Sequence, residues 1–394
     1  MARQPQAQPA PSPQPPAPAA ASTNPAFAES GGILTIDLEA IRANYRLLAS
    51  RVTPAECGAV IKGDAYGCGL DQVTQTLTRA GCRTFFVAQI AEARRVRALA
   101  RNANIFVLNG FAPGSGPAVM ELNVRPVINS LVELAEWDQF RAESKWEGGA
   151  ALHVDTGMNR LGVTIEEAAA VAARARNQSQ GIVLLMSHLA CADKPEHPLN
   201  DQQIRHFREI RALFRGTSSS LANSSGIFLD PSTYCDVARP GVALFGGNPT
   251  PGKPNPMRPV VELKARILQI RNLARGATVG YEAAWTAKRD SRIAVVAAGY
   301  ADGISRLAAL TDGKNPRELL ISEQRCRIIG RISMDLLALD VTDLPVSAVQ
   351  RDQLATIIGE GLTLDQVAEQ TGTIPYEILT SLGRRFHRVW KPDN

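Results

Sequence analysis

The sequence predicts an α/β fold in two parts, a TIM-like (β/α)8 barrel followed by a mainly β C-terminal domain. Three observations predict it. The chain has 394 residues, more than one core ordinarily organises, so two domains are expected. Short apolar runs recur between residues 58 and 245, separated by amphipathic helical patterns. After a Pro/Gly-rich stretch at 246–259, GGNPTPGKPNPMRP, the texture changes to strands and turns with few helices.

The elements follow in order. Residues 1–30 hold seven of the 25 prolines within their first 18 positions and almost no large apolar side chains. Such a segment cannot bury enough surface to offset its ordering entropy, so it reads as a disordered tail. ILTIDL (33–38) reads as a strand that can pair with the C-terminal domain. LEAIRANYRLLASR is then a helix with Asp37 at its N-cap. The barrel strands are GAVI (58–61), FFVA (85–88), IFVL (105–108), VRPVI (124–128), ALHV (151–154), GIVLLM (181–186), SSLA (219–222) and VALF (242–245). Between several of them lie the helical patterns QVTQTLTRA, AEARRVRALA, LVELAEWDQFRAE and IEEAAAVAARARN. Buried strands alternating with helices imply a parallel sheet, and about eight units in roughly 200 residues imply a closed barrel. An open doubly wound sheet would carry GxGxxG after its first strand, which is absent. The expected domains are a tail at 1–30, the barrel at 31–250 and the β domain at 251–394. In the last, VVELKARILQI, SRIAVVAAGY, RCRIIGRI and LLALDV are strands.

Composition narrows the function. Hydrophobic content is 45%, and no apolar run reaches the roughly 18 residues of a spanning helix, so no membrane partner is expected. The tail has no apolar run of signal-peptide kind, which points to a cytoplasmic protein. The net charge of +5 is scattered, and the basic run GRRFHRVWK reads as a solvated face, so no nucleic-acid partner is expected. The six cysteines show no CxxC pairing and no metal-ligand spacing, consistent with reduced thiols and no metal.

In a (β/α)8 barrel the chemistry lies where the strands end. GAVI ends in Lys62, ALHV leads to Arg160, LLM leads to Ser187 and His188, SLA leads to Asn223-Ser224-Ser225-Gly226, and Arg239-Pro240-Gly241 precedes VALF. A lone lysine there is ordinarily a snorkelling rim residue. Among Arg160, His188 and Arg239, however, a desolvated lysine loses proton affinity and becomes a nucleophilic amine able to form an imine. Gly63, Gly67 and Gly69 permit close backbone approach. Asn223-Ser224-Ser225-Gly226 can hold a phosphate through N–H groups and a hydroxyl.

The motifs AVIKGDAYGCG, HVDTGMNRLG, ANSSG, RPGVALFGG, TVGYEAAWTA, GYADGISR, GRISMD and TIPYEILTSLG occur in this order. From about Ile33 to Trp390 the chain resembles the alanine racemases, the barrel-type (fold-type III) enzymes dependent on pyridoxal 5'-phosphate (PLP). The resemblance implies a homodimer with shared active sites that interconverts L- and D-alanine and supplies D-alanine for peptidoglycan. It implies that Lys62 carries PLP covalently and serves as the base on the D side. Tyr281 would be the opposite base, reaching in from the partner subunit, with His188 tuning it. Tyr66, Asn223, Ser224, the backbone of Gly241 and Val242, and Tyr376 would bind the phosphate. Arg160 would meet the PLP hydroxyl and the substrate carboxylate, Met334 would lend its N–H to that carboxylate, and Arg239 would bond the pyridine nitrogen. In isolation Tyr281, His188, Tyr376 and Met334 would each read as packing or turn residues. His197, His206 and His387 match no motif and read as structural.

Three positions depart from the family pattern. Cys68 stands where relatives often have histidine, and Glu282 where a small residue is common. His153 stands where many relatives have a lysine carbamylated by carbon dioxide, which orients the equivalent of Arg160. Histidine cannot make that adduct, so the resemblance to lysine-lacking relatives implies a recruited anion such as chloride, or a neutral His153 accepting from Arg160. Two other functions compete: a broader amino-acid racemase acting on serine, against which Tyr376 argues by crowding the side-chain pocket, and a non-catalytic PLP-binding homeostasis protein, which would be a single barrel. A decarboxylase on this fold would carry an acid in place of Arg239.

Overall fold

The computed structural model describes residues 28–175, 181–306 and 317–392. Most of the expected disordered tail lies outside these residues. Strand β1 (Gly32–Asp37) leads directly into the helix Leu38–Val52, whose first turn is capped by Asp37 Oδ1 accepting from the Ala40 N–H at 2.7 Å. The barrel strands follow: β2 (Glu56–Cys57), β3 (Ala59–Val60), β4 (Thr84–Val87), β5 (Asn104–Val107), β6 (Arg125–Ile128), β7 (Ala150–His153), β8 (Ile182–Met186), β9 (Ser218–Ser220) and β10 (Val237–Ala238).

Strands β3 to β9 form a curled parallel sheet in sequence order. The curl closes. β10 pairs in parallel with β2, and the Gly58 and Val60 N–H groups donate to the Ala238 and Pro240 carbonyls, each at 2.9 Å. On its other side, the Asp236 and Arg239 N–H groups donate to Ser219 and Ala222 at 2.9 and 2.8 Å. With β2 and β3 counted as one strand broken at Gly58, this is the eight-stranded barrel the apolar runs predict, packed through Phe85, Ile105 and Leu152. The eighth strand is not VALF. Val242–Phe245 is a fully buried 3₁₀ turn ended by left-handed Gly246, and the strand is the shorter Val237–Ala238 before it. A short buried apolar run is as compatible with a turn of helix as with a strand.

The C-terminal part contains β11 (Val261–Leu273), β12 (Thr278–Val279), β13 (Trp285–Thr286), β14 (Ser291–Val296), β15 (Glu318–Ile321), β16 (Gln324–Ile329), β17 (Leu337–Asp340), β18 (Leu354–Ile358) and β19 (His387–Lys391). Its main sheet runs β14-β17-β16-β15-β18-β11-β1-β19. β1 pairs antiparallel with β11 and parallel with β19, so the first and last strands stitch the chain ends together. The basic run GRRFHRVWK therefore includes a sheet strand and is not simply a solvated face. Among the described residues, no helix is long and apolar enough to cross a membrane, and no His/Cys/Asp/Glu group could hold a metal ion.

Candidate active site

The C-terminal ends of the barrel strands surround one cavity of about 820 Å3. Lys62 follows β3, His153 ends β7, and Arg160 lies on the next loop. His188 follows β8, Asn223 and Ser224 follow β9, and Arg239, Gly241 and Val242 follow β10. Tyr376 enters from the C-terminal part, on the helix Pro375–Ser381. Tyr66 completes the wall. A smaller recess of about 480 Å3, by Arg215, Ser218 and Asp236, opens at the N-terminal ends of β9 and β10, on the far rim.

Two expected site residues are not in this cavity. Tyr281 is 66% exposed and Met334 is 53% exposed. They belong to one surface unit, because the hairpin of β12 and β13 packs on the segment before Met334. A Cβ on Gly280 would meet the Arg331 N–H nitrogen at 3.2 Å, and Glu282 pairs with Arg331 at 2.5 Å.

Lys62 opens a turn of unusual hand. Gly63, Asp64, Ala65 and Tyr66 all have φ between 53° and 64°. Each non-glycine residue there costs about 1–2 kcal/mol, so the turn must be held from outside. The Gly63 N–H donates to Glu92 Oε1 at 2.7 Å, and the Leu70 N–H to Asp64 Oδ1 at 3.0 Å. From β19, Trp390 Nε1 donates to the Cys68 carbonyl at 2.8 Å and Arg388 to the Gly67 carbonyl. Burial lowers the Lys62 ammonium's proton affinity, Arg160 lowers it further, and Glu92 opposes both. The lowered amine is the nucleophile an imine needs.

The opposite corner is lined with donors. The Gly241 and Ala243 N–H groups point at Ser224 Oγ, at 2.9 and 3.3 Å. Only glycine fits at 241, where a Cβ would stand 2.2 Å from Tyr66 Oη. The Tyr66 ring stacks on Phe245 at 4.8 Å and lies 5.9 Å from Tyr376. Burial pushes the Tyr376 hydroxyl up to about 12 and Tyr66 higher still, so both remain donors. Hydroxyls and backbone N–H groups gathered at one corner suit a phosphate. Asn223 stands there too, but its carboxamide is engaged by the Gly226 N–H at 2.8 Å and the Leu189 carbonyl at 3.4 Å.

Between these ends lies Arg239, only 3% exposed. Its guanidinium donates to Ser220 Oγ and to the Ser187 and Leu221 carbonyls, the latter two at 2.5 and 3.5 Å, all uncharged acceptors. Burial brings it down to about 10, so it stays a cation. Its charge, after burial itself, pushes His188 down to about 3 and His153 to about 4. Both imidazoles are therefore neutral at physiological pH. An amine, a buried guanidinium and a donor-lined corner in one cavity fit a phosphorylated aromatic aldehyde.

Sequence reasoning missed four supporting residues. Asn129 Oδ1 lies 2.9 Å from His153 Nδ1, and Glu92, Arg388 and Trp390 hold the Lys62 turn. Asn129 follows a strand, a position that could have flagged it; the other three carry no local signal. Of the departures, Cys68 is buried with its thiol pushed up to about 12, which makes it inert, and Glu282 is paired with Arg331.

Comparison with known proteins agrees with this geometry. The family profile "Alanine racemase, N-terminal domain" matches residues 36–249, and "Alanine racemase, C-terminal domain" matches residues 260–390. The chain is similar to "Alanine racemase" of Methylobacterium sp. (strain 4-46), 49% identical over 93% of this chain and 99% of that protein. It is 41% identical to "Alanine racemase, biosynthetic" of Agrobacterium fabrum, over 93% of this chain and 95% of that one. Its fold is similar to a crystal structure of alanine racemase from Bartonella henselae with covalently bound pyridoxal phosphate. That match has a TM-score of 0.87 and 37% identity, and covers 92% of this chain and 100% of the other.

Proposed function

The chain belongs to the alanine racemase family, and from that premise we propose that it interconverts L- and D-alanine with PLP as cofactor. The observation that carries the reading is the convergence of Lys62, Arg160, Ser224 and Arg239 on one cavity at the C-terminal rim. A single-barrel homeostasis protein has no use for the C-terminal sheet or for Tyr376, which that part sends into the cavity. The close Tyr66 and Tyr376 rings favour a small side chain over a larger one.

When bound, PLP supplies the electron sink that makes the Cα–H bond acidic. The residues of this chain do the rest. Lys62 carries the cofactor and, with Nζ lowered in proton affinity, takes or returns the Cα proton on the D side. Tyr66, Ser224, Tyr376 and the backbone N–H groups of Gly241 and Val242 hold the phosphate, with Asn223 shaping the turn behind it. Arg160 holds the PLP hydroxyl and the substrate carboxylate. Arg239 donates to the ring nitrogen without giving up its proton, which limits the sink and disfavours transamination.

The second base is Tyr281 of a partner subunit, tuned by His188, with the Met334 N–H on the carboxylate. The exposure of Tyr281 and Met334 on one surface unit supports a homodimer with shared sites. Two bases on opposite faces exchange the Cα proton without either crossing the plane. We further read the enzyme as cytoplasmic and as a source of D-alanine for peptidoglycan; relatives of similar identity are named both biosynthetic and catabolic.

The test is circular dichroism of L-alanine, and separately of L-serine, incubated with the PLP-loaded protein. Racemisation of alanine well above serine is expected. No change with alanine, or a faster rate with serine, would overturn the substrate assignment.

A further inference from the structure

The Glu92 carboxylate collects three backbone N–H groups. Gly63 donates to Oε1 at 2.7 Å, and Ala88 and Gln89 to Oε2 at 2.8 and 3.2 Å. A glutamate at the third position of a helix needs only the Gln89 contact to cap Ile90–Leu99. The Gly63 bond is different in kind. It crosses from the first turn of the helix after β4 to the turn after β3 and grips the residue next to Lys62. That residue begins the left-handed run Gly63–Tyr66, which the local sequence does not favour.

We infer that Glu92 is a positioning residue for catalysis, fixing the left-handed turn that aims Lys62 and supplying the acidic charge behind it. The inference rests on the reading of Lys62 given above. Around the Lys62 amine the cavity presents Arg160, His188 and Arg239 from the barrel loops and His153 from the end of β7. The helix Pro375–Ser381 adds Tyr376 and Glu377. On the lysine's own turn, Asp64 is paired with Arg95 at 3.0 Å. Glu92 is the acid whose charge acts on Lys62, against burial and Arg160. Without it, the lysine nitrogen would hold its proton less tightly and point less consistently.

The experiment compares PLP-loaded Glu92→Gln, Glu92→Ala and Lys62→Ala. The absorbance of the lysine-linked cofactor is titrated with pH, beside kcat, KM and thermal unfolding. Glutamine keeps an acceptor for Gly63 and removes the charge. It should unfold close to the parent temperature, with the lysine-linked limb moved to lower pH by about one unit. Alanine should show the same shift and a kcat about tenfold lower at nearly unchanged KM. An unchanged limb in Glu92→Gln overturns the inference. So does a lower unfolding temperature in Glu92→Ala with limb and kcat intact, since that is capping alone. A Lys62→Ala protein that kept the lysine-linked band would overturn the reading of Lys62 itself, a result that no Glu92 variant can mimic.

Discussion

Asn129 fixes the tautomer of His153. The Asn129 Nδ2 group donates to the Val127 carbonyl at 2.7 Å and the Leu108 carbonyl at 3.4 Å, which turns Oδ1 toward His153 Nδ1 at 2.9 Å. An acceptor facing Nδ1 requires the proton to be there. Nε2 is then a lone pair, and with burial and Arg239 holding the ring's pKa near 4, it stays one at neutral pH.

This bears on what orients Arg160. The sequence pointed to a recruited halide in place of a carbamate. A fixed lone pair would repel an anion and could accept from a guanidinium, so we propose the second of the two alternatives, the neutral imidazole, as the acceptor for Arg160. Activity is expected to be unchanged by removal of carbon dioxide and flat across chloride concentrations at constant ionic strength. A rate rising with chloride would restore the halide.

The two buried imidazoles also lower stability in acid. His153 and His188 have folded pKa values of about 4 and about 3, below the ordinary value near 6.5. As pH falls below 6.5 the unfolded chain takes up protons that the folded chain refuses, so stability is lost from there down to the folded values. Between pH 7 and 5 each histidine should cost about 2 kcal/mol. Unfolding free energies of the parent and His153→Gln across that range are the check. The variant should fall less steeply, and parallel curves would refute the burial argument.

Lys62→Ala should lose the absorbance of lysine-linked PLP and nearly all turnover. A yellow, active variant would move the covalent attachment to another lysine.

Tyr281 should act in trans. Lys62→Ala and Tyr281→Phe subunits, each inactive alone, should recover one competent site per heterodimer when mixed. Heterodimers shown to form but without activity would place both bases in one chain.

Much of this was legible in the residues because periodicity and strand-end chemistry are local signals. Lys62, Arg160, His188 and Ser224 each follow an apolar run that marks a barrel strand, and Arg239 stands just before VALF, in a fold whose rim carries chemistry. The support behind them was not legible. Trp390 and Arg388 reach the Lys62 turn from β19, more than 300 positions away along the chain, and β19 is set beside β1 only by the closed C-terminal sheet. VALF misled for the converse reason. Its four buried apolar residues satisfy a strand pattern, while the 3₁₀ turn they form aims the Ala243 N–H at Ser224, which no pattern of side chains encodes.

On the proposed reading, Arg239 decides which reaction follows deprotonation. Its guanidinium is buried, stays charged, and is oriented by three uncharged acceptors, so it can donate but has no proton to spare. A pyridine nitrogen held there would accept a hydrogen bond and stay unprotonated. PLP held there would supply a weaker electron sink, which would favour return of the proton to Cα over transamination. Arg239→Glu inverts this arrangement. A carboxylate at that depth is stabilised by a proton shared with the ring nitrogen, and the stronger sink lengthens the life of the deprotonated substrate. Racemisation should fall by about two orders of magnitude or more, as expected when a proton-transfer balance is lost, while transamination to pyruvate rises. The measurement is chiral chromatography of alanine beside a coupled assay for pyruvate, run on the same samples. Arg239→Lys, which keeps a cation, should lose rate without gaining pyruvate. If Arg239→Glu keeps the parent's ratio of products, the guanidinium does not face the ring nitrogen, and its burial serves only to tie β8, β9 and β10 together.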